Sequence, residues 1–111
     1  MNKGTLGELI AKAYLVQNGF QIIRSNYFSN GGEIDIIATS RRYHIHFVEV
    51  KYYRFSNWAH PIQAVTKSKQ QKIKYTATHF LNHCCFDCKD LQFDIIVIEK
   101  GIVKNHVLSA F

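Results

Sequence analysis

This chain of 111 residues has a single proline, a single methionine and six glycines. With so little proline and glycine there is no room for a long flexible linker, and no apolar run approaches the length of a membrane span. The N-terminal stretch carries an acidic residue, which is unlike a signal peptide. We therefore expect one compact domain over residues 1–111 in a soluble, cytoplasmic protein with no membrane contact.

Acidic residues are also scarce, with 8 Asp and Glu against 14 Lys and Arg, which gives a formal net charge of +6. A basic balance of this size favours a polyanionic partner, and nucleic acid is the commonest one. Many small basic proteins nevertheless bind nothing acidic. Charge alone therefore does not decide between a nucleic-acid-binding protein and another basic protein.

The chain has three cysteines, Cys84, Cys85 and Cys88, which lie too close together for a secreted disulfide framework. With His79 and His83 before them, the set His79, His83, Cys85 and Cys88 gives two spaced pairs of nitrogen and sulfur ligands, so zinc must be considered. The spacing differs from that of the usual zinc finger, and a second, separated cysteine pair is missing. The sequence favours reduced cysteines in a loop between a helix and a strand over a zinc site.

Residues 5–18 show helical spacing of apolar side chains. Thr5 and Glu8 match a capping box at the start of this helix, and Gly19 is a natural stop. The expected apolar face consists of Leu6, Leu9, Ile10, Ala13 and Tyr14.

Five further segments predict strands, and a second helix is expected from a cap at Thr66 to His83, with a buried stripe of Ile73, Ala77, Phe80 and Leu81. A long helix between the third and fourth strands implies a crossover that makes those two strands parallel. The expected fold is α/β, more narrowly α+β, with helices flanking a mixed five-stranded sheet. The strands are expected over 20–28, 33–39, 44–53, 91–99 and 102–108.

The third strand, "HFVEVKYY", places Glu49 and Lys51 two positions apart and therefore on one face. In the second strand, Glu33 and Asp35 share one face, while Ile34, Ile36 and Ala38 are expected on the other. If the two strands form a hairpin, two carboxylates and an amine converge on one patch. Carboxylate oxygens suit Mg²⁺, and an adjacent lysine suits phosphodiester hydrolysis.

A plainer reading of the same residues is a salt-bridged sheet edge. Glu49 would then pair with Lys51 or Arg54, and Asp35 would be solvated near a turn. Asp94 is expected to be a structural partner on the face opposite Phe93. His106, near the C-terminus, is expected to be incidental.

Asp35, thirteen intervening residues and then "EVK" resemble the D…ExK signature of the PD-(D/E)xK nucleases. Across nearly the whole chain, the ordered blocks "GxxGExxAxxYLxxxGFxII", "NY…GGEIDIIA", "FVEVKYYR", "QAV…K…KI", "FDIIVI" and "AF" resemble the YraN family of small predicted endonucleases. That family is distantly similar to Holliday-junction resolvases. The resemblance implies a restriction endonuclease-like αβββαβ core.

The resemblance also implies roles for the matching residues. Asp35 and Glu49 would be ligands of Mg²⁺ or Mn²⁺, with the Val50 carbonyl a third ligand and Glu8 of the first helix a fourth. Lys51 would be the catalytic lysine. Assisting roles fall to Glu33 and Gln63. Separately from the resemblance, the basic residues expected to contact nucleic acid are Arg54, Lys67, Lys69 and Lys72, and the alternative for the lysines is a merely solvated helix face.

The sequence thus predicts a metal-dependent endonuclease acting on DNA, with branched or single-stranded DNA as the expected substrate. Two alternatives remain open: a non-catalytic nucleic-acid-binding module of the same fold, and a basic interaction protein. Resolvase-like relatives act as dimers, so a homodimer is expected.

Overall fold

The computed structural model of the protein describes residues 2–29, 31–41, 43–53, 61–84 and 86–111. In this part of the chain the elements follow the predicted order. The helices are α1 (Lys3–Gln17) and α2 (Lys67–His83), and a short 3-10 helix (Pro61–Ala64) precedes α2. The strands are β1 (Gln21–Ser29), β2 (Gly32–Arg41), β3 (His44–Tyr53), β4 (Asp90–Glu99) and β5 (Ile102–Val107).

The five strands form one sheet in the order β1-β2-β3-β4-β5. β3 and β4 are parallel, and the other neighbouring pairs are antiparallel. The first three strands are joined by short turns, whereas the chain returns through α2 before β4, as a parallel connection requires. The predicted mixed sheet flanked by helices is confirmed.

Each helix packs on one face of the sheet. Ile45 and Phe47 of β3 lie in the core with α2, whereas Val48 of the same strand lies in the core with α1. This alternation follows from the two-residue period of a strand. Each buried side chain of this size contributes about 1.5–3 kcal/mol of burial free energy.

The alternation fails in β2 at Asp35. Ile34 was expected on the face of Ile36 and Ala38, and this prediction is wrong. Ile34 packs in the core with α2, whereas Ile36 and Ala38 pack with α1. Pairing of β2 with β3 ends at Ile36, and the facing position of β1 is Asn26, with a left-handed φ of 52°. The backbone next to Asp35 is thus irregular toward both neighbouring strands, β1 and β3, which explains why the side chains of β2 do not alternate strictly.

The N-terminus of α1 is capped by Asn2, whose side-chain oxygen accepts a hydrogen bond of 2.8 Å from the Thr5 backbone N–H. The predicted capping box of Thr5 and Glu8 is therefore wrong. Asparagine is at least as strong a cap as threonine, and the cap therefore lies three residues upstream of the predicted one. The Glu8 side chain is consequently available for other contacts. Gly19 does follow the helix, with a left-handed φ of 86°.

The face of α1 that meets the sheet differs in part from the prediction: Ile10 and Tyr14 pack against the core as predicted, whereas the leucines do not define the face. Leu6 and Leu9 are 39% and 44% exposed, whereas Gly7, Ala11 and Leu15 are buried. A Cβ atom on residue 7 would lie 3.2 Å from the Tyr52 ring. The helix packs so closely on the sheet that small side chains face inward, which a count of large apolar residues does not reveal.

The second helix follows the prediction. Thr66 caps it by accepting a hydrogen bond of 3.1 Å from the Lys69 backbone N–H, and Ile73, Ala77 and Phe80 are buried. In the described part of the chain, no helix has both the length and the apolar character to cross a membrane.

Candidate active site

Asp35 of β2 and Glu49 of β3 lie side by side where the two strands separate. The last paired residues are Ile36 and Val48. Beyond this pair, Asp35 Oδ2 accepts a hydrogen bond of 2.8 Å from the Val50 backbone N–H. The carboxylate thus takes the place of a strand partner, which fixes it beside Glu49.

The two carboxyl groups share a poorly hydrated site. Burial and the neighbouring carboxyl group of Glu49 together raise the pKa of Asp35 to about 8. Glu49 is only 4% exposed, and its Oε2 has no hydrogen-bond partner among the described residues. A buried carboxylate oxygen without a partner is costly, so the pair needs a proton or a cation between its members.

Two lysines lie against these carboxylates. Lys69 Nζ of α2 is 3.6 Å from Glu49 Oε1. Burial opposes the charge of Lys69, yet Glu49 and Asp35 hold its pKa above the ordinary value. Lys51 lies close enough to Lys69 for their amines to hydrogen-bond, and partial burial, together with the charge of Lys69, lowers the pKa of Lys51. The site therefore combines one firmly charged amine with one that loses its proton more readily.

A second acidic group adjoins the first and shares Asp35 with it. Carboxylate oxygens of Glu8, Glu33 and Asp35 all lie within 4.8 Å of one another. Partial burial raises the pKa of Glu8, and the charges of Asp35 and Glu33 act in the same direction. The Glu8 side chain therefore faces the carboxylates of Glu33 and Asp35.

Asn26 holds this second group in place. Its Nδ2 donates to Glu8 Oε1 and Oε2 at 3.0 and 2.9 Å and to Glu33 Oε1 at 2.9 Å. Asparagine tolerates a left-handed φ better than most residues, so it can occupy this position and still direct its amide toward both acids. Our sequence prediction did not include Asn26. A turn-forming residue inside an otherwise strand-like run was the available signal.

The start of β2 packs tightly on α2. A Cβ atom on Gly32 would collide with Thr76 Oγ1 and lie 3.0 Å from the Lys72 carbonyl oxygen. Only glycine allows this approach, which brings the lysines of α2 over the carboxylates. The result is a cavity of about 300 Å³ whose lining includes Asp35, Glu49, Lys69 and Lys72.

The remaining residues predicted for the site are placed less centrally. Lys67 is exposed in the first turn of α2, and Gln63 is exposed on the 3-10 helix that precedes it. Lys69, expected only to contact nucleic acid, lies inside the carboxylate site. Arg54 lies outside the described residues.

The histidines and cysteines considered for zinc have other contacts. His79 Nδ1 is 2.7 Å from the Tyr27 hydroxyl, and His83 Nδ1 donates to the His79 carbonyl at 2.9 Å. Cys88 Sγ donates to the Asp90 carbonyl oxygen at 3.3 Å. Cys85 lies outside the described residues, so the zinc alternative stays untested.

The acidic residues suit a divalent cation on physical grounds. Glu49 carries a buried oxygen without a partner in the described part of the chain, and Asp35 has a raised pKa. A cation would relieve both, because it would supply the partner and displace the proton. All the available ligands are carboxylate oxygens, which Mg²⁺ and Mn²⁺ prefer.

The chain is similar in sequence to proteins that share one family description. The profile described as "Uncharacterised protein family UPF0102" matches residues 7–98. A UPF0102 protein of Chloroherpeton thalassium is 41% identical over 95 residues, which cover 86% of this chain and 73% of that protein. A UPF0102 protein of Alkaliphilus metalliredigens is 36% identical, covering 97% of this chain and 96% of that protein. One from Psychromonas ingrahamii is 38% identical, covering 99% and 89%.

Proposed function

We propose that this chain, which belongs to the uncharacterised protein family UPF0102, also known as YraN, is a metal-dependent endonuclease of the restriction endonuclease-like type that hydrolyses phosphodiester bonds in DNA. The observation that carries the proposal is the half-buried Asp35 beside the buried Glu49, whose Oε2 has no partner among the described residues, with two lysines against the pair. Membership of the family supplies no activity, so the proposal depends on this site.

In the proposed site, Asp35 and Glu49 would hold Mg²⁺ or Mn²⁺, with Glu8 as a further ligand. When bound, such an ion supplies Lewis-acid activation of the scissile phosphate and of the attacking water. The Val50 N–H keeps Asp35 Oδ2 oriented, and Asn26 does the same for Glu8 and Glu33. This support limits the movement of the ligands during the reaction.

The two lysines would have different tasks. Partial burial lowers the pKa of Lys51, so its Nζ releases a proton more readily than an ordinary lysine, which suits a group that handles the proton of the attacking water or the leaving oxygen. The raised pKa of Lys69 keeps its ammonium charged, which suits binding of phosphate oxygens. Lys72 lines the same cavity and extends the basic surface for the DNA backbone.

The burial of Glu49 favours catalysis over the two alternatives. A surface that only binds nucleic acid gains nothing from a buried carboxylate, which repels phosphate and costs desolvation free energy. The same objection applies to a basic protein that docks an acidic partner. Two acids beside two amines fit a site that must hold a cation and a phosphate together.

The test uses labelled branched, flapped and single-stranded DNA, with RNA of the same sequences, in Mn²⁺ or in EDTA. Wild-type protein should cleave at least one DNA substrate in Mn²⁺ and none in EDTA. Lys51→Ala should lower the cleavage rate by about 100-fold or more and retain most of the DNA affinity. Lys104→Ala removes an exposed lysine of β5 that pairs with Glu99 and does not line the cavity, so it is the matched control, with near-normal turnover.

Each outcome separates the alternatives. Salt-sensitive binding without cleavage would favour the non-catalytic module, and the absence of binding would favour the basic interaction protein. Cleavage of RNA alone would correct the substrate class. Sedimentation with a symmetric four-way junction tests the predicted homodimer, for which two copies per junction are expected.

A further inference from the structure

A second buried polar cluster lies beneath α1, centred on Asp94 of β4, which is completely buried. Its Oδ2 accepts from His46 Nδ1 at 2.7 Å and from His106 Nε2 at 2.9 Å. Its Oδ1 accepts from Gln92 Nε2 at 2.7 Å and from the Ser109 backbone N–H at 3.0 Å. These donors hold the pKa of Asp94 well below its usual range.

Ser40 extends this cluster to the surface. The Ser40 hydroxyl lies 2.7 Å from His46 Nε2, on the side of the ring opposite Asp94. The ionised Asp94 can only accept, so in the neutral form of His46 the proton is on Nδ1 and Nε2 accepts from the Ser40 hydroxyl. Serine, histidine and aspartate are therefore connected in the order and polarity of a nucleophilic triad.

The His46 ring is held rigidly. Phe20 packs edge-on against it with ring centroids 4.9 Å apart, and His44 stacks on it at 4.8 Å. The histidine is 3% exposed, whereas Ser40 is exposed. A general base is thus fixed in the interior with only the serine presented to solvent, as nucleophilic catalysis requires.

Ser40 borders a cavity of about 580 Å³, whose lining shares no residue with that of the carboxylate cavity. Tyr43 and Phe86 supply aromatic surface to its lining, and Arg41 supplies a cation next to the serine. Aromatic walls suit a flat apolar group, and a cation favours negative charge that develops on a carbonyl oxygen.

We propose that Ser40, His46 and Asp94 form a serine nucleophile site that accepts acyl groups from small carboxylic esters with an aromatic or apolar portion. Ser40 and His46 are the catalytic residues, and Asp94 is the positioning residue that fixes the tautomer of His46. The site is independent of the proposed nuclease chemistry, since it uses neither Lys51 nor a metal.

The proposed reaction consumes only the ester and water. Ser40 Oγ forms a bond to the carbonyl carbon while its proton passes to His46 Nε2. The bond from carbon to the leaving alcohol then breaks, and His46 returns the proton to that alcohol. Water attacks the acyl-serine by the same route, which releases the acid and restores the Ser40 hydroxyl.

The test uses a fluorophosphonate probe, which phosphonylates an activated serine, and the turnover of p-nitrophenyl acetate. Wild-type protein should be labelled on the peptide that contains Ser40. Ser40→Ala should abolish labelling and lower ester turnover by about 100-fold or more. Ser25→Ala, which removes an exposed serine of β1, is the matched control and should keep both.

His46→Asn tests the base separately, since its side-chain amide can still donate to Asp94 while no group remains to take the proton of Ser40. It should show the same loss as Ser40→Ala with a cooperative melting transition. EDTA and Lys51→Ala should leave labelling unchanged. Absence of wild-type labelling, or equal labelling of Ser40→Ala, would overturn the proposal and leave the cluster as a structural network.

Discussion

Two aspartates lie in the same sheet, Asp35 half-buried and Asp94 completely buried, and their pKa values are shifted in opposite directions. Asp35 accepts one backbone hydrogen bond and faces a second carboxyl group, which together with burial raises its pKa to about 8. Asp94 accepts four hydrogen bonds from two histidines, an amide and the backbone, which lower its pKa. Burial alone therefore does not decide the charge of an acid.

The two acids differ in how many hydrogen-bond donors the protein supplies to them. Asp94 has a complete set of donors from the chain itself. Among the described residues, Glu49 Oε2 has no donor, which leaves the Asp35–Glu49 pair suited to a bound cation. An incompletely bonded acid with a raised pKa suits the binding of an outside group, whereas a fully bonded acid suits a positioning role, as proposed for Asp94 beside His46.

The largest effect is expected from Asp94→Asn. The side-chain NH2 group of the asparagine cannot accept the hydrogen bonds that one Asp94 oxygen now accepts. The variant should therefore lose about 3 kcal/mol of unfolding free energy at pH 7. Because the pKa of Asp94 is lowered, this contribution is present above the unfolded value of 3.8 and is lost only as the pH falls through the lower folded value. Urea unfolding measured between pH 3 and pH 8 checks it.

Asp90→Asn is the matched control, because Asp90 is an exposed aspartate at the start of the same strand. Its unfolding free energy should change by less than about 0.5 kcal/mol. Equal stability of Asp94→Asn and the wild-type protein would remove the contrast between the two acids.

The next largest effect is expected from Asp35→Asn, which should raise the unfolding free energy instead of lowering it. The pKa of Asp35 is raised from 3.8 to about 8, so its protonated form stabilises the fold below pH 4 and this contribution is lost as the pH rises to 8. Asp35→Asn stays neutral and can still accept from the Val50 N–H. We expect it to exceed the wild-type unfolding free energy by about 2 kcal/mol at pH 8.5 and to lose metal-dependent cleavage.

The measurement is urea unfolding of both proteins at pH 4 and pH 8.5 in EDTA, so that no cation stabilises the wild type. The stability difference should grow between the two pH values. A variant that is less stable than the wild type at pH 8.5 would show that the Asp35 carboxylate is satisfied within the chain.

The smallest effect on stability is expected from Glu8→Gln. A glutamine oxygen can still accept from Asn26, and the cap of α1 is Asn2, so Tm should change by about 2 °C or less. Glutamine is a weaker ligand than glutamate, so the rise in Tm on adding Mn²⁺ should be smaller than for the wild type. An undiminished rise would leave Asp35 and Glu49 as the metal ligands without Glu8.

Much of the fold could be predicted because periodicity encodes it. The alternation in β3 and the stripe of Ile73, Ala77 and Phe80 on α2 gave the element order, and the long crossover gave the parallel pair. The juxtaposition of Asp35 and Glu49 followed from the hairpin and the shared face.

The errors come from properties that periodicity does not carry. Asn2 competes with Thr5 for one cap, and the close approach of α1 selects Gly7 and Ala11 rather than leucines. The left-handed Asn26 depends on backbone geometry around the site. Two further residues were undervalued because their partners are distant in sequence or in another element. His106 was expected to be incidental but contacts both Tyr14 and Asp94, and Lys69 reaches Glu49 from α2.

The parallel pairing of β3 and β4 also orders the events of folding. Asp35 and Glu49 meet through a hairpin with a short turn, whereas His46 and Asp94 meet only after the chain containing α2 has closed a long loop. We therefore expect Asp35 and Glu49 to meet early in folding, before the hydrogen-bond donors of Asp94 come together. In pulsed hydrogen exchange during refolding, amides shared by β2 and β3 should become protected before those shared by β3 and β4.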